Sequence, residues 1–136
     1  MDSFDRYFTE EEANALLEEL LPDIEQLIST RNRIVEIRPE FDSGLQKALG
    51  NGGSHATGEL LILMGRIQRL VERIQKTGAL VKNLEQGLLD FPAEREGRTV
   101  YLCWQYGEPP VAYWHDIDSG FAGRQPLQAS SLSKPR

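Results

Sequence analysis

The chain has 136 residues and a formal net charge of −6, with 40% hydrophobic and 26% charged residues. This size and composition predict one globular domain that buries its own core without a disulfide or a metal staple. The negative charge argues against non-specific nucleic-acid binding, which depends on neutralising phosphates. The single cysteine, Cys103, excludes an internal disulfide and any zinc motif built from several cysteines.

The N-terminal residues and the hydropathy pattern favour a cytoplasmic protein. The opening MDSFDRYFTEEE is acidic, unlike a signal or transit peptide. No apolar run approaches the ~20 residues that a membrane helix needs. We therefore predict a cytoplasmic protein without membrane or nucleic-acid partners. Its single α+β domain spans residues 1–127, with a helical half at about 9–77, a β half at about 79–127 and a tail at 128–136.

The first predicted helix begins at a capping box. Thr9 and Glu12 have the spacing at which each side chain bonds the other's free backbone N–H. Leucines and isoleucines then recur at gaps of three and four, the period of a helix with one buried face. Pro22 interrupts this pattern, but the period resumes in phase, which predicts a kink within a continuous helix. Pro39 is expected to end the helix, because it disfavours helical geometry at Arg38.

A connection is predicted over residues 40–53, where Gly50-Asn51-Gly52-Gly53 is typical of a flexible loop. A second helix is expected to begin at Ser54 or His55 and to end before Gly78. Two long helices joined by one connection predict an antiparallel hairpin of the coiled-coil type. Leu60, Leu61, Ile62 and Leu63 are consecutive, so they need partners on several sides.

After Gly78 the apolar period changes from 3.6 to 2, which predicts β-strands. Four strands are expected, joined by turns rich in glycine and proline: Ala79–Leu84, Leu88–Glu94, Thr99–Gln105 and Val111–Asp116. Short turns between successive strands predict an antiparallel meander. The third strand is apolar on both faces, which predicts a central position. One face is expected to pack on the helices, and the other on the chain beyond Gly120 or on a second subunit.

The β half resembles a known family. The motifs LCW, GEP, YWH and GFAGR within Gly87–Leu127, preceded by LVKNLE and by an FTEEEANALL opening, are similar to the bacterial family of unknown function DUF2203. The resemblance extends from about Phe8 to Leu127. It implies a bacterial cytoplasmic setting and a function carried by the β half, and it implies no activity.

A polar group in the β half is the best candidate for a metal site. His115 lies near Glu108 and Asp118 in sequence, and Asp90 is flanked by apolar residues on a neighbouring strand. Imidazole and carboxylates are suitable ligands for a divalent metal such as zinc or manganese. The spacing matches no established metal motif, so the alternative is that His115 is a buried sheet histidine and the acids are turn residues.

Two further features of the β half allow a ligand site. The glycines around Phe121 and the guanidinium of Arg124 can bind an anion, which gives a candidate ligand set of Glu108, His115, Asp118 and Arg124. The alternative is a turn in which Arg124 pairs with Asp116 or Asp118. Cys103 can act as a nucleophile with His115 as its base, but a mid-strand cysteine is more typical of a buried inert thiol.

The sequence therefore leaves two classes of function open. The first, which we favour because no complete catalytic set is visible, is a non-catalytic interaction or scaffold module that forms a homodimer through its helices. The second is a protein that binds a small ligand or divalent metal, with or without enzymatic activity, at a site around His115. The sequence establishes no cofactor.

Overall fold

The computed structural model describes the backbone of residues 4–51 and 55–127, and the side chains of residues 4–37 and 57–127. The architecture is α+β, as predicted. Two helices, α1 (Glu10–Asn51) and α2 (His55–Lys76), are followed by five strands of one sheet: β1 (Leu80–Asn83), β2 (Leu88–Arg95), β3 (Arg98–Gln105), β4 (Tyr113–Asp116) and β5 (Gln125–Pro126). The chain forms two compact units, one of residues 22–73 and one of residues 1–21 with 74–136.

The start of α1 confirms the predicted capping box. The backbone N–H of Glu12 donates to Thr9 Oγ1 at 3.0 Å, and the N–H of Thr9 donates to Glu12 Oε1 at 2.9 Å. Both hydrogen bonds satisfy backbone donors near the start of the helix. The helix continues through Pro22 without a break, as the unbroken period of its apolar residues predicted.

The predicted end of α1 at Pro39 is wrong, and so is the predicted connection as far as residue 51, whereas residues 52–53 of that connection lie outside the described residues. The helix runs through Pro39 to Asn51, and α2 begins at His55. A proline inside a helix removes one hydrogen bond at a cost of about 3 kcal/mol, but it does not require the helix to stop. The run Leu45-Gln46-Lys47-Ala48-Leu49 consists of strong helix formers, which extend an existing helix without a new nucleation step.

The unit of residues 22–73 holds the two helices in antiparallel directions, as two ion pairs establish. Arg33 binds both carboxylate oxygens of Glu59, with Nε–Oε2 and Nη2–Oε1 distances of 2.7 and 3.0 Å. Nearer the other end of each helix, Arg73 Nη1 lies 3.3 Å from Asp23 Oδ1. No helix in the described part of the chain is both long enough and apolar enough to cross a membrane.

The sheet is an antiparallel meander with the strand order β1-β2-β3-β4-β5. The predicted fourth strand begins two residues later than expected, because Pro110 has no N–H and the N–H of Val111 donates to Asn14 Oδ1 at 2.6 Å. A fifth strand that the sequence pattern did not predict, β5, has two residues and pairs with Tyr113 and Trp114 of β4. Two residues are too short to show an alternating pattern.

The turn between β2 and β3 sets the register of the central strands. Glu96 and Gly97 both have positive φ, 53° and 79°, as in a type I′ turn of two residues. This turn places Arg95 opposite Arg98, and counting back along the strands places Asp90 opposite Cys103. The tight turn therefore decides which side chains of β2 and β3 become neighbours.

Strand β3 is central and buried on both faces, as predicted. We call its two sides the Trp104 face, with Val100, Leu102 and Trp104, and the His115 face, with Tyr101 and Cys103 of β3 beside His115 of β4. On the Trp104 side of β2, the ring of Phe91 packs edge-on against Phe8, which lies just before α1.

The His115 face is covered by two segments of the same chain. Phe4 contacts Tyr101 edge-on, with ring centroids 5.9 Å apart. Gly120 and Phe121 lie over the same side, next to Cys103 and His115. This confirms the expectation that the chain beyond Gly120 helps to cover the second face.

Candidate functional site: a buried Asp–Cys–His cluster

Three side chains of different chemistry meet on the His115 face. Asp90 comes from β2, Cys103 from β3 and His115 from β4, so adjacent strands of the sheet supply one residue each. Asp90 lies opposite Cys103, and His115 lies opposite Tyr101, two residues before Cys103. Because alternate residues of a strand share one face, this register directs all three side chains to the same side. We call them the Asp–Cys–His cluster.

The cluster is compact and withdrawn from solvent. One potential ligand atom from each residue lies within 4.8 Å of the other two. The exposed fractions of Asp90, Cys103 and His115 are 3%, 1% and 3%. Buried groups of this polarity require hydrogen-bond or ionic partners, since desolvation without a partner is costly.

Both nitrogens of the His115 ring have such partners. Nδ1–H donates to the backbone carbonyl of Asp116 at 2.8 Å, and Nε2 lies 3.2 Å from each carboxylate oxygen of Asp90. The ring also contacts Tyr101 edge-on at 5.5 Å between centroids. The carbonyl of Asp116 therefore fixes the ring so that Nε2 points at Asp90.

The surroundings of His115 stabilise the positive charge of its ring. Burial disfavours the charged ring, but the hydrogen bonds to Asp90, to Cys103 and to the carbonyl of Asp116 outweigh it and raise the pKa of His115 to about 10. These surroundings favour the imidazolium form of the ring, paired with Asp90. A cation that binds between these side chains therefore takes the place of the Nε2 proton.

A small cavity adjoins the cluster. Its volume is about 130 Å³, and its lining combines Asp90, Cys103 and His115 with Lys82 and an apolar wall of Leu88, Tyr101, Ile117, Gly120 and Phe121. The ammonium of Lys82 lies 4.3 Å from the centroid of the Tyr101 ring. The Asp–Cys–His cluster is thus connected to a space in which a small molecule can lie.

The predicted ligand set divides into separate groups. Glu108 and Arg124 form an ion pair, in which Arg124 Nη1 donates to Glu108 Oε1 at 3.1 Å and Nη2 donates to Oε2. The guanidinium also stacks on the rings of Tyr113 and Phe121, 4.0 and 4.2 Å from their centroids. Burial alone would raise the pKa of Glu108, but hydrogen bonds from Arg124 and from the backbone N–H of Gln105 lower it.

Asp116 and Asp118 lie elsewhere. Asp116 accepts a hydrogen bond from Arg98 Nε at 2.9 Å. Arg124 pairs with Glu108, and not with Asp116 or Asp118 as the alternative interpretation of the sequence had it. Asp118 lines an open recess beside Arg98 and Asp116. Of the four predicted metal ligands, Asp90 and His115 belong to the Asp–Cys–His cluster, whereas Glu108 and Asp118 are not members of it.

Cys103 was predicted as a candidate nucleophile but not as a metal ligand. The usable signal was the two-residue turn at Glu96-Gly97, which fixes Asp90 opposite Cys103 once the turn is recognised as type I′. The register of β4 had no comparable signal, because a seven-residue connection containing Pro109 and Pro110 separates it from β3.

The comparison with known families assigns the chain. A family described as "Uncharacterized conserved protein (DUF2203)" matches residues 6–127. The chain belongs to this family. The matched residues include the Asp–Cys–His cluster and the whole lining of its cavity. The chain matches no curated protein and no solved structure.

Proposed function

We propose that the protein binds one divalent metal ion of the zinc type through Asp90, Cys103 and His115. The observation that carries the proposal is the convergence of three different donor atoms within 4.8 Å on a buried face beside a cavity. Thiolate sulfur, imidazole nitrogen and carboxylate oxygen together are the ligand types that zinc takes in proteins.

The distances and the ring orientation support this assignment. Zinc bonds of about 2.0–2.3 Å place the donors of a tetrahedral ion about 3.4–3.7 Å apart. His115 Nε2 is 3.2 Å from the Asp90 oxygens, and the three donor atoms lie within 4.8 Å of one another, so side-chain shifts of about 1 Å bring them to the spacing of a bound ion. A metal-binding histidine usually donates its other ring N–H to a carbonyl or carboxylate, and His115 Nδ1 has such a bond to Asp116.

Three protein ligands leave one coordination position for water or a small molecule. Zinc sites with that arrangement bind and polarise ligands, whereas structural sites have four protein ligands. We therefore propose that the metal ion at the cluster binds a ligand, and that it is not a structural ion that only stabilises the fold. A reduced cysteine ligand also favours the cytoplasmic location expected from the sequence.

Cobalt substitution tests the metal site. Co²⁺ is added to metal-free protein purified without a histidine tag, and its thiolate-to-metal absorption band is followed. We expect one Co²⁺ per chain with this band, loss of the band in Cys103→Ser, and weaker binding in Asp90→Asn and His115→Gln. Asp118→Asn is the matched control, because Asp118 is an exposed carboxylate outside the cluster. No band in the wild-type protein, or an unchanged band in Cys103→Ser, contradicts the proposal.

A second candidate function, self-association, rests on the surface of the helical unit. Leu61, Ile62 and Met64 of α2 have exposed fractions of 66%, 63% and 53%. Three large apolar side chains exposed within four residues of one helix are typical of an interaction surface. We propose that a second copy of the chain covers them, with the helices of two subunits related by a twofold axis.

Light scattering at micromolar concentration tests self-association. We expect a mass about twice the 15.4 kDa of one chain. The double variant Leu61→Gln/Ile62→Gln should return the mass of the single chain, whereas Gln68→Ala, an exposed control on the same helix, should not. A wild-type mass near 15.4 kDa would overturn this candidate.

A further inference from the structure

The cavity beside the Asp–Cys–His cluster limits the size of what it can hold. Its volume of about 130 Å³ corresponds to roughly four water molecules at about 30 Å³ each. Sites for drug-sized molecules are larger, at about 300–1,000 Å³. A ligand of a few heavy atoms therefore fills the space.

The charge of the lining favours an anion. Lys82 contributes a positive charge to the cavity, and it forms no ion pair with any residue whose side chain the structure describes. The carboxylate of the lining, Asp90, is already engaged by His115. A divalent ion bound by one carboxylate, one thiolate and a neutral imidazole is itself neutral. The metal-loaded cavity thus retains one positive charge, that of Lys82.

The remaining lining is apolar. Leu88, Ile117 and Phe121 form a wall without charged groups. A ligand that satisfies both parts of the lining has one negative group and a short hydrocarbon portion. Phosphate satisfies the charged part alone and leaves the apolar wall without a partner.

Building on the metal site proposed above, we propose that the cavity binds a short monocarboxylate of about two to four carbon atoms. One carboxylate oxygen occupies the open coordination position of the metal ion, and the ammonium of Lys82 pairs with the carboxylate. The hydrocarbon portion lies against Leu88, Ile117 and Phe121.

Titration of the cobalt-loaded protein with acetate, propionate, propionamide and phosphate tests the proposal. We expect saturable changes in the visible spectrum with both carboxylates, propionate binding at least as tightly as acetate, and no change with neutral propionamide. Lys82→Met removes the charge but keeps a long side chain, and it should weaken propionate binding about tenfold. Lys82→Arg should retain most of the affinity, and Lys76→Met is a control on an exposed lysine outside the lining.

The outcomes separate this inference from the metal site on which it rests. A cobalt spectrum that carboxylates do not change overturns the ligand class and leaves the metal site standing. Equal responses to propionate and propionamide, tighter binding of phosphate, or unchanged affinity in Lys82→Met also overturn it. Failure of the wild-type protein to bind Co²⁺ contradicts the metal site itself.

Discussion

The carboxylate of Asp90 stabilises the positive charge of His115 in a buried position. The two side chains are only 5% and 4% exposed, and they lie 3.2 Å apart. Removing one member of a buried pair leaves the other charge without a partner, at a typical cost of about 3–5 kcal/mol. We therefore expect Asp90→Ala to lower the free energy of unfolding by about that amount in metal-free protein at pH 7.

Urea unfolding in the presence of a chelator measures this effect. The double variant Asp90→Leu/His115→Leu serves as the control, because replacing both charges by apolar groups is often neutral. It should recover most of the lost stability. If Asp90→Ala lowers the free energy of unfolding by less than about 1 kcal/mol, Asp90 does not stabilise the charge of His115.

Glu108 provides a pH-dependent contribution through Arg124. Because the pKa of Glu108 is lowered from 4.5 in the folded protein, its stabilisation is complete above about pH 4.5 and is lost as the pH falls through the folded-state value. We expect Glu108→Gln to lower the free energy of unfolding by about 1.5–3 kcal/mol at pH 7, the range for hydrogen bonds to charged groups. The difference from wild type should shrink below pH 4.5.

Unfolding curves across the acidic range check this expectation. Glu18→Gln is a matched control, since Glu18 is an exposed carboxylate that lines the same groove as Glu108. Its effect should stay within about 0.5 kcal/mol at every pH. A difference between Glu108→Gln and wild type that does not vary with pH would contradict the assigned role.

At the level of single residues, the sequence identified Asp90 and His115 because both are polar residues in otherwise apolar strands. It paired Cys103 with His115 only as a nucleophile with its base, and it did not place Asp90 beside them, because that arrangement depends on the registers of two strand pairs. It also grouped Glu108 with His115, whereas Glu108 pairs with Arg124. Residues close in sequence on a strand and its turn need not share one face.

Among the elements, the turn Glu96-Gly97 has the most direct consequence for the cluster. Gly97 has a φ of 79°, and a Cβ at this position would meet no atom within 4 Å. The cost of Gly97→Ala is therefore conformational, about 1–2 kcal/mol. Gly58, inside α2, also has open space at its Cβ position. Gly58→Ala should instead stabilise the protein by about 0.5–1 kcal/mol, because alanine favours the helix.

Thermal unfolding of the two variants compares the same chemical change in opposite backbone contexts. We expect the melting temperature to fall for Gly97→Ala and to rise for Gly58→Ala. Equal shifts of the same sign would show that backbone conformation does not decide the effect at these positions.

The start of α1 could be predicted from the sequence, but its end could not. The capping box fixed the start of α1 because it depends on residues three apart, Thr9 and Glu12. The end of α1 was placed at Pro39 because a proline disfavours helix locally, yet helix propensity beyond it extends α1 to Asn51. The effect of proline on the preceding residue indicates where a helix is less stable, but it does not establish that the helix ends there.

At the scale of the whole molecule, the fold class followed from the change of apolar period after Gly78, and the meander followed from the short turns. The two proposed functions lie in different compact units, metal binding in the unit containing the sheet and self-association in the unit of residues 22–73. We therefore expect them to be independent. Cys103→Ser should keep the wild-type mass in solution, and Leu61→Gln/Ile62→Gln should keep the wild-type Co²⁺ stoichiometry. Loss of both properties in either variant would contradict this separation.

The metal content of the purified protein tests whether Asp90, Cys103 and His115 bind an ion. The protein is expressed without a histidine tag in zinc-supplemented medium, passed through a desalting column, and analysed for transition metals by elemental mass spectrometry. We expect about one zinc ion per chain in the wild-type protein and in Asp118→Asn, and clearly less than one in Cys103→Ser and His115→Gln. A wild-type protein without stoichiometric metal, or variants that retain it, would contradict the Asp–Cys–His metal site.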